Sequence, residues 1–353
     1  MNLYDPFNIL HSKKQLLRQV SGDIIYTGQF TDVQISIELI TYNKKEVSFH
    51  KTNSIEGPFE NDKIYWFNVI GLHDTELIGK IGETFNIHHI DLEDVVHVSQ
   101  WSKIEDRESY LFSIFKMIYL RDKDMIHEHV AMIHKENVIV TLQEVPGDTF
   151  DGVRESIQKQ LGKIRSMGSD YLYYSLIDAL TNEYFDIING ISSNFRDIEM
   201  KILDNNLESK EQLYHLRKEL LYLINAVSPI KDSISKLTKH NYHFMNHEMT
   251  PYYNGLMDHL NQIMDSLKAY KEMTNSLHEM QMSNVSNDMN KTMMILTVFS
   301  AIFIPLSFLA GVFGMNFTYI PGLNLKSSFY MFILSCVVIA SGMLTFFKIK
   351  KWY

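Results

Sequence analysis

Hydrophobic and polar positions alternate in short runs up to about residue 144, take up helical spacing from residue 151, and give way near the end to two long apolar stretches. In the first region Asp32–Leu39 alternates polar and apolar side chains, which predicts a strand with one wet face. Residues 64–71 are more continuously apolar, as expected of a buried strand. His73–Leu77 opens an amphipathic helix running toward Asn86, and residues 91–98 predict another short one. Tyr110–Leu120, Met125–His134 and Val138–Gln143 supply three further strands, with 121–124 and 135–137 as turns. Sequential strands joined by short turns favour an antiparallel meander inside an α/β domain.

After Pro146-Gly147-Asp148 the pattern predicts helices over 151–165, 171–204 and 211–239, with Asp204-Asn205-Asn206 as a corner between antiparallel neighbours. Thr250-Pro251 has the form of an N-cap followed by a first-turn proline. From there to Asn316 the one proline is Pro305, so the spacing predicts a helix of roughly 65 residues, about 95 Å long. Its last part, Thr292–Phe313, carries no charge over about 22 positions, the thickness of a hydrocarbon core. Pro305 inside this span is expected to bend it by freeing a carbonyl one turn earlier.

That span has two faces. Asn290, Met293, Thr297, Ser300, Ile304, Ser307, Gly311 and Gly314 recur at steps of three and four, whereas Leu296, Phe299, Phe303, Leu306, Phe308, Leu309 and Phe313 cover the rest. Close packing between spans explains small residues at such spacing. It does not explain why the polar stripe continues backwards beyond the membrane through Ser286, Ser283 and Glu279. A face that stays polar on both sides of that boundary predicts a water-filled axis shared by several copies of the helix. A second apolar run, Ser328–Phe347, ends in Lys348, Lys350, Lys351, Trp352 and Tyr353. Those lysines, with Lys291 before the first span, place both chain ends on the cytoplasmic side of a cell membrane and residues 318–327 outside.

Composition narrows the function. A formal charge of −9 argues against a nucleic-acid partner. The single cysteine, Cys336, lies in the second apolar run, so no intrachain disulfide is expected. Met1–Asp5 lacks the start of a secretory signal. No phosphate-binding Gly-Lys-Ser/Thr loop points to a nucleotide, and no nucleophile-base arrangement points to an enzyme. A binding domain merely anchored by the spans is the competing class, and an anchor has no reason to keep a polar stripe. His88-His89-Ile90-Asp91 and His127-Glu128-His129 with His134 have metal-ligand residue types, but 15 histidines in 353 residues favour solvated strand and loop histidines over a zinc site. Asp148, Asp151 and Glu155 fit a helix start better than a site. Met280, Met282, Met289, Met293 and Met294 fit packing better than soft-metal binding.

The run Pro305-Leu306-Ser307-Phe308-Leu309-Ala310-Gly311-Val312-Phe313-Gly314-Met315-Asn316-Phe317 resembles the signature closing the first transmembrane helix of the CorA family of divalent-cation transporters. Ser283–Asn287 followed by Met289-Asn290 also resembles the family, and the match runs back to about Tyr26. The resemblance implies a funnel-shaped homopentamer importing Mg2+, with Co2+ or Ni2+ also passing. It divides the chain into a cytosolic α/β domain (1–165), a helical hairpin (166–250), a stalk helix (251–291), a pore-lining span (292–316), an outer loop (317–327), a second span (328–347) and a basic tail (348–353).

The same resemblance assigns the metal-handling residues. Gly314, Met315 and Asn316 form the outer mouth, where a ring of amide oxygens accepts hydrogen bonds from a still-hydrated ion. Met293 and Leu296 form an apolar constriction, with Asn290 and Glu279 as polar rings below it. Ions bound between protomers hold the pore shut when internal Mg2+ is ample, and Glu93 and Asp94 match half of that regulatory site. The other half departs, because Gly255 stands where the best-known members have an aspartate, and Asp258, one turn on, is the candidate substitute. The outer loop also departs, since Ile320-Pro321-Gly322-Leu323 has no glutamate. A zinc transporter of the related ZntB type is the alternative within the class.

Overall fold

The computed structural model of the chain describes residues 24–121, 124–204, 206, 209–239, 247–315, 327–350 and 352. Met1–Asp5, Asn316 and loop residues 317–326 therefore lie outside the described residues. Seven strands form one mixed sheet: β1 (Ser36–Tyr42), β2 (Val47–Thr52), β3 (Ile64–Ile70), β4 (Lys103–Asp106), β5 (Leu111–Arg121), β6 (Asp124–Lys135) and β7 (Val138–Gln143). Their order is β2-β1-β3-β7-β6-β5-β4. Of these strands only β3 and β7 pair in parallel, so the expected meander β5 to β7, extended by β4, is joined there to an antiparallel β2-β1-β3 unit.

Two helices, α1 (Thr75–Phe85) and α2 (His89–Val96), fill the connection from β3 to β4. Asp74 caps α1, its Oδ1 accepting from the Leu77 amide at 3.0 Å, and Asn86 ends it in the left-handed conformation (φ 53°). The two helices meet closely at Gly82, where a Cβ would stand 2.3 Å from the Leu92 side chain. Ile78, Ile81, Phe85, Leu92 and Val95 share a buried cluster with Phe67, Val69, Phe112, Ile114, Ala131, Ile133, Val140 and Leu142 of the sheet. Each such side chain contributes about 1.5–3 kcal/mol on burial, which makes this cluster the main support of α2.

Four longer helices follow a short α3 (Asp151–Lys159): α4 (Ser169–Leu203), α5 (Ser209–Lys239), α6 (Thr250–Phe313) and α7 (Ser328–Ile349). Ser113 points away from the Phe112 and Ile114 face by strand alternation, and there Tyr173 of α4 donates to its Oγ at 3.0 Å. Tyr184 of α4 also donates to the Lys116 carbonyl at 2.5 Å. α3 is shorter than its predicted helix, because Gln160 turns left-handed (φ 56°) and Gly162 follows (φ 59°). The first strand begins at Ser36 rather than Asp32, and β2 and β4 were not predicted.

The chain divides into two compact units, one of residues 1–201 and 208–275, the other of 202–207 and 276–353. α6 runs through the division as one helix of 64 residues, about 96 Å at the usual rise. In its first part Tyr253, Leu256, Leu260, Ile263, Leu267, Thr274 and Leu277 are buried, at helical spacing. From residue 278 to 315 none is buried.

Candidate functional site

The end of α6 and the whole of α7 are long and apolar enough to cross a membrane. Within the second unit their rings meet at Phe313 and Phe332, with centroids 5.4 Å apart. The half-buried positions on this part of α6 are Met294, Val298, Ala301, Ile302, Pro305, Leu306 and Leu309, a stripe of their own. The predicted pore positions Asn290, Met293, Thr297, Ser300, Ile304, Ser307 and Gly311 form a neighbouring stripe, and every one is exposed. Leu296 is exposed beside it, as is Glu279 further back. None of the described residues covers this edge.

Hydroxyls on the helix turn their hydrogens inward. Thr297 Oγ1 donates to the Met293 carbonyl at 2.8 Å, and Thr292 Oγ1 does the same to Asp288 at 3.0 Å. The Thr297 oxygen therefore offers lone pairs, not a hydrogen, to its surroundings. Pro305 lies inside the continuous helix and has no amide to give the Ala301 carbonyl. The helix ends at Phe313, where the Gly314 amide is shared between the Ala310 and Gly311 carbonyls at 3.0 and 3.2 Å. A Cβ at Gly314 would stand 3.1 Å from the Ala310 oxygen, a tight contact that glycine avoids. Met315 follows, exposed; Asn316 lies outside the described residues.

The candidate regulatory carboxylates sit in the other unit. Glu93 on α2 pairs with His89 Nδ1 at 3.1 Å. Asp94 has both oxygens engaged: Lys103 Nζ donates to Oδ2 at 2.7 Å and Gln100 Nε2 to Oδ1 at 2.6 Å. Lys103 also reaches Glu105 at 2.9 Å, Glu105 reaches Arg107 at 2.6 Å, and Arg107 forks onto Asp91 at 3.0 and 2.6 Å. Asp91 is fully buried and takes a third bond from the Tyr110 hydroxyl at 2.6 Å. This chain of alternating charges clamps α2 to β4. Sequence reasoning missed Lys103 and Gln100, whose spacing from Asp94 carries no helical or strand period. Asp258 is exposed on α6, and a Cβ at the equally exposed Gly255 would meet nothing within 4 Å. Among the described residues no group of three or more His, Cys, Asp or Glu side chains is gathered to hold a metal within one chain.

On β6 the expectation of solvated histidines is corrected, since His129 and His134 are buried and His127 is half-buried, whereas His88 and His89 are exposed as expected. His127 packs edge-on against Tyr222 at 4.4 Å, and burial with the nearby Lys116 charge holds its pKa down to about 4. His134 meets Ser169 Oγ at 2.9 Å, stacks on Tyr173, and is likewise pushed to about 4 by burial. Burial also depresses His129, with the charge of Lys116 adding to it. Lys116 itself falls to about 8 by desolvation, while donating to the Val98 carbonyl at 2.6 Å. His88 Nδ1 accepts from the Ile90 amide at the start of α2. Asp148 accepts from the Phe150 amide at 3.0 Å and from both arms of Arg154 at 2.6 and 2.7 Å, a cap and an ion pair together.

Comparison with known proteins bears on both regions. The family model described as "CorA-like Mg2+ transporter protein" matches residues 61–351. The chain is 35% identical over 338 residues to the "Cobalt/magnesium transport protein CorA" of Thermotoga maritima, covering 94% of this chain and 96% of that one. It is 24% identical to the "Zinc transport protein ZntB" of Yersinia enterocolitica, over 62% of this chain and 65% of that one. Among solved structures, the complete CorA magnesium transporter of Methanocaldococcus jannaschii superposes with a TM-score of 0.76 at 21% identity, covering 89% of this chain and 98% of that one.

Proposed function

The chain belongs to the CorA-like Mg2+ transporter family, and from that premise we propose that it is a channel importing Mg2+, with Co2+ or Ni2+ also passing. Several copies, five by the family resemblance, bring α6 around one axis. The observation that carries this reading is the uncovered polar edge of a membrane-length helix, running from Asn290 to Gly311 and ending at Gly314. Mg2+ gives up its waters reluctantly, so a ring of Asn316 amides at the outer end accepts hydrogen bonds from the hydrated ion and filters by its size. Met293 and Leu296 close the inner end by dewetting. With both termini cytoplasmic, a doubly charged ion gains about 4.6 kcal/mol per 100 mV on entry, so no nucleotide is needed.

Internal Mg2+ bound between copies at Glu93, Asp94 and Asp258 holds the pore shut in this reading. The acid-poor outer loop favours a second reading, transport of Zn2+ in the manner of ZntB proteins. The higher identity and coverage of the cobalt/magnesium relative favour Mg2+. Reconstituted into vesicles, the chain is expected to take up Mg2+ with competition by Co2+ and Ni2+, and Asn316→Ala is expected to abolish uptake while the oligomer still assembles. Unchanged Mg2+ flux in that variant would refute the mouth, and stronger competition by Zn2+ than by Co2+ would transfer the assignment to zinc.

A further inference from the structure

The Asp94 carboxylate already holds a cation, and that cation belongs to the chain. Lys103 Nζ lies 2.7 Å from Asp94 Oδ2 and 2.9 Å from Glu105 Oε2, on an edge strand, and the next cation along the chain, Arg107 just past that strand, is committed to Asp91. Side-chain exposures of 22% for Lys103 and 16% for Asp94 leave the pair reachable from solvent. Burial pulls the Lys103 pKa down, but hydrogen bonds to Asp94 and Glu105 more than restore it, so the ammonium stays charged. Phe112 lies beneath it, 5.4 Å from ring centre to Nζ. Losing Asp94 would cost Lys103 one of two carboxylates, because Glu105 remains.

We propose that Lys103 is a tethered competitor for the ion at Asp94: its ammonium occupies the carboxylate when internal Mg2+ is scarce and retreats to Glu105 when a divalent ion arrives. This rests on the regulatory reading of Asp94 given above. Binding is then an exchange, and the tether sets the Mg2+ concentration at which it happens. A tethered group acts at a high effective concentration, so removing it shifts the midpoint downward by about tenfold. Glu105 works in the opposite sense, since neutralising it leaves the ammonium to Asp94 alone.

The test is calorimetric titration of MgCl2 into the purified full-length chain. Lys103→Met is expected to bind Mg2+ about tenfold more tightly, and Glu105→Gln several-fold more weakly. A merely structural network would weaken binding in both variants. Unchanged or weaker binding by Lys103→Met overturns the proposal, and should that variant not melt cooperatively, unchanged or tighter binding by Glu105→Gln overturns it instead. If Asp94→Asn loses the tightest Mg2+ step while Lys103→Met equals the parent, only the lysine's role falls. If Asp94→Asn titrates like the parent, the regulatory reading itself falls and this inference with it.

Discussion

The two parts of α6 share one period and use it in opposite ways. Before residue 278 the helix buries a stripe that is apolar at Leu256, Leu260, Ile263, Leu267 and Leu277, against its own chain. Beyond it the stripe at Asn290, Thr297, Ser300 and Ser307 is polar, and no residue is buried. An apolar stripe at steps of three and four is completed by packing, which the first part achieves alone. A polar stripe on a membrane-length helix is not completed by lipid, and among the described residues it meets the helix's own Met293 carbonyl, which takes the Thr297 hydroxyl hydrogen. The first part is therefore completed by packing within the chain, whereas the second is, in the function proposed above, one wall of a passage that other copies close.

The largest expected effect comes from making the second part resemble the first. Ser307→Phe puts a large apolar ring on the polar edge, where five copies would meet. Uptake in vesicles is expected to fall to the background of empty vesicles, while the melting temperature stays near that of the parent, because Ser307 is exposed in the chain. Phe308→Leu, one residue away on the apolar surface, serves as the control and leaves uptake intact. Equal loss in both variants would mean that the edge has no special standing.

One side of this contrast was legible in the sequence, since the three-and-four polar spacing and the charge-free length can be read from residue types, whereas the buried stripe of the first part was not read there. The central strands were legible as well, because β3 is buried along Tyr65–Val69 and β7 throughout. β2 was not, since its central residues Ser48–Lys51 are all exposed and carry no apolar period. β4, Lys103–Asp106, is only four residues long with three charges, too short and too polar to show a strand period. The engagement of Asp94 was equally hidden: an ion pair between a helix and an edge strand nine residues on depends on tertiary geometry, not on spacing. Tertiary burial likewise overrode the expectation that the histidines of β6 are wet, since no alternation rule says which side of a two-faced sheet is solvent.

A smaller effect, of another kind, is expected from the first part of α6. Leu260 is fully buried there, and Leu260→Ala removes its methyl groups from a packed stripe, at a cost of about 2–5 kcal/mol depending on how far the site collapses. The melting temperature of the purified chain should drop, while the order in which Co2+, Ni2+ and Zn2+ compete with Mg2+ stays as in the parent. A changed ion order with an unchanged melting temperature would break the comparison, because it would put selectivity in the part that packs.

The smallest effect is expected at Gly255, on the exposed side of that same part. It lies inside the helix and a Cβ there would meet nothing within 4 Å, so the glycine brings conformational freedom to the unfolded chain and no packing benefit to the folded one. Gly255→Ala is expected to stabilise the chain by about 0.5–1 kcal/mol, read as a small rise in melting temperature. Gly255→Asp tests more, because it sets a carboxylate three residues before Asp258 on the same exposed face. It should fold like the parent and close the pore at lower internal Mg2+. If Gly255→Ala instead lowers the melting temperature, the alanine methyl is meeting another copy of the chain, and the first part of α6 is completed by assembly as well as by its own fold.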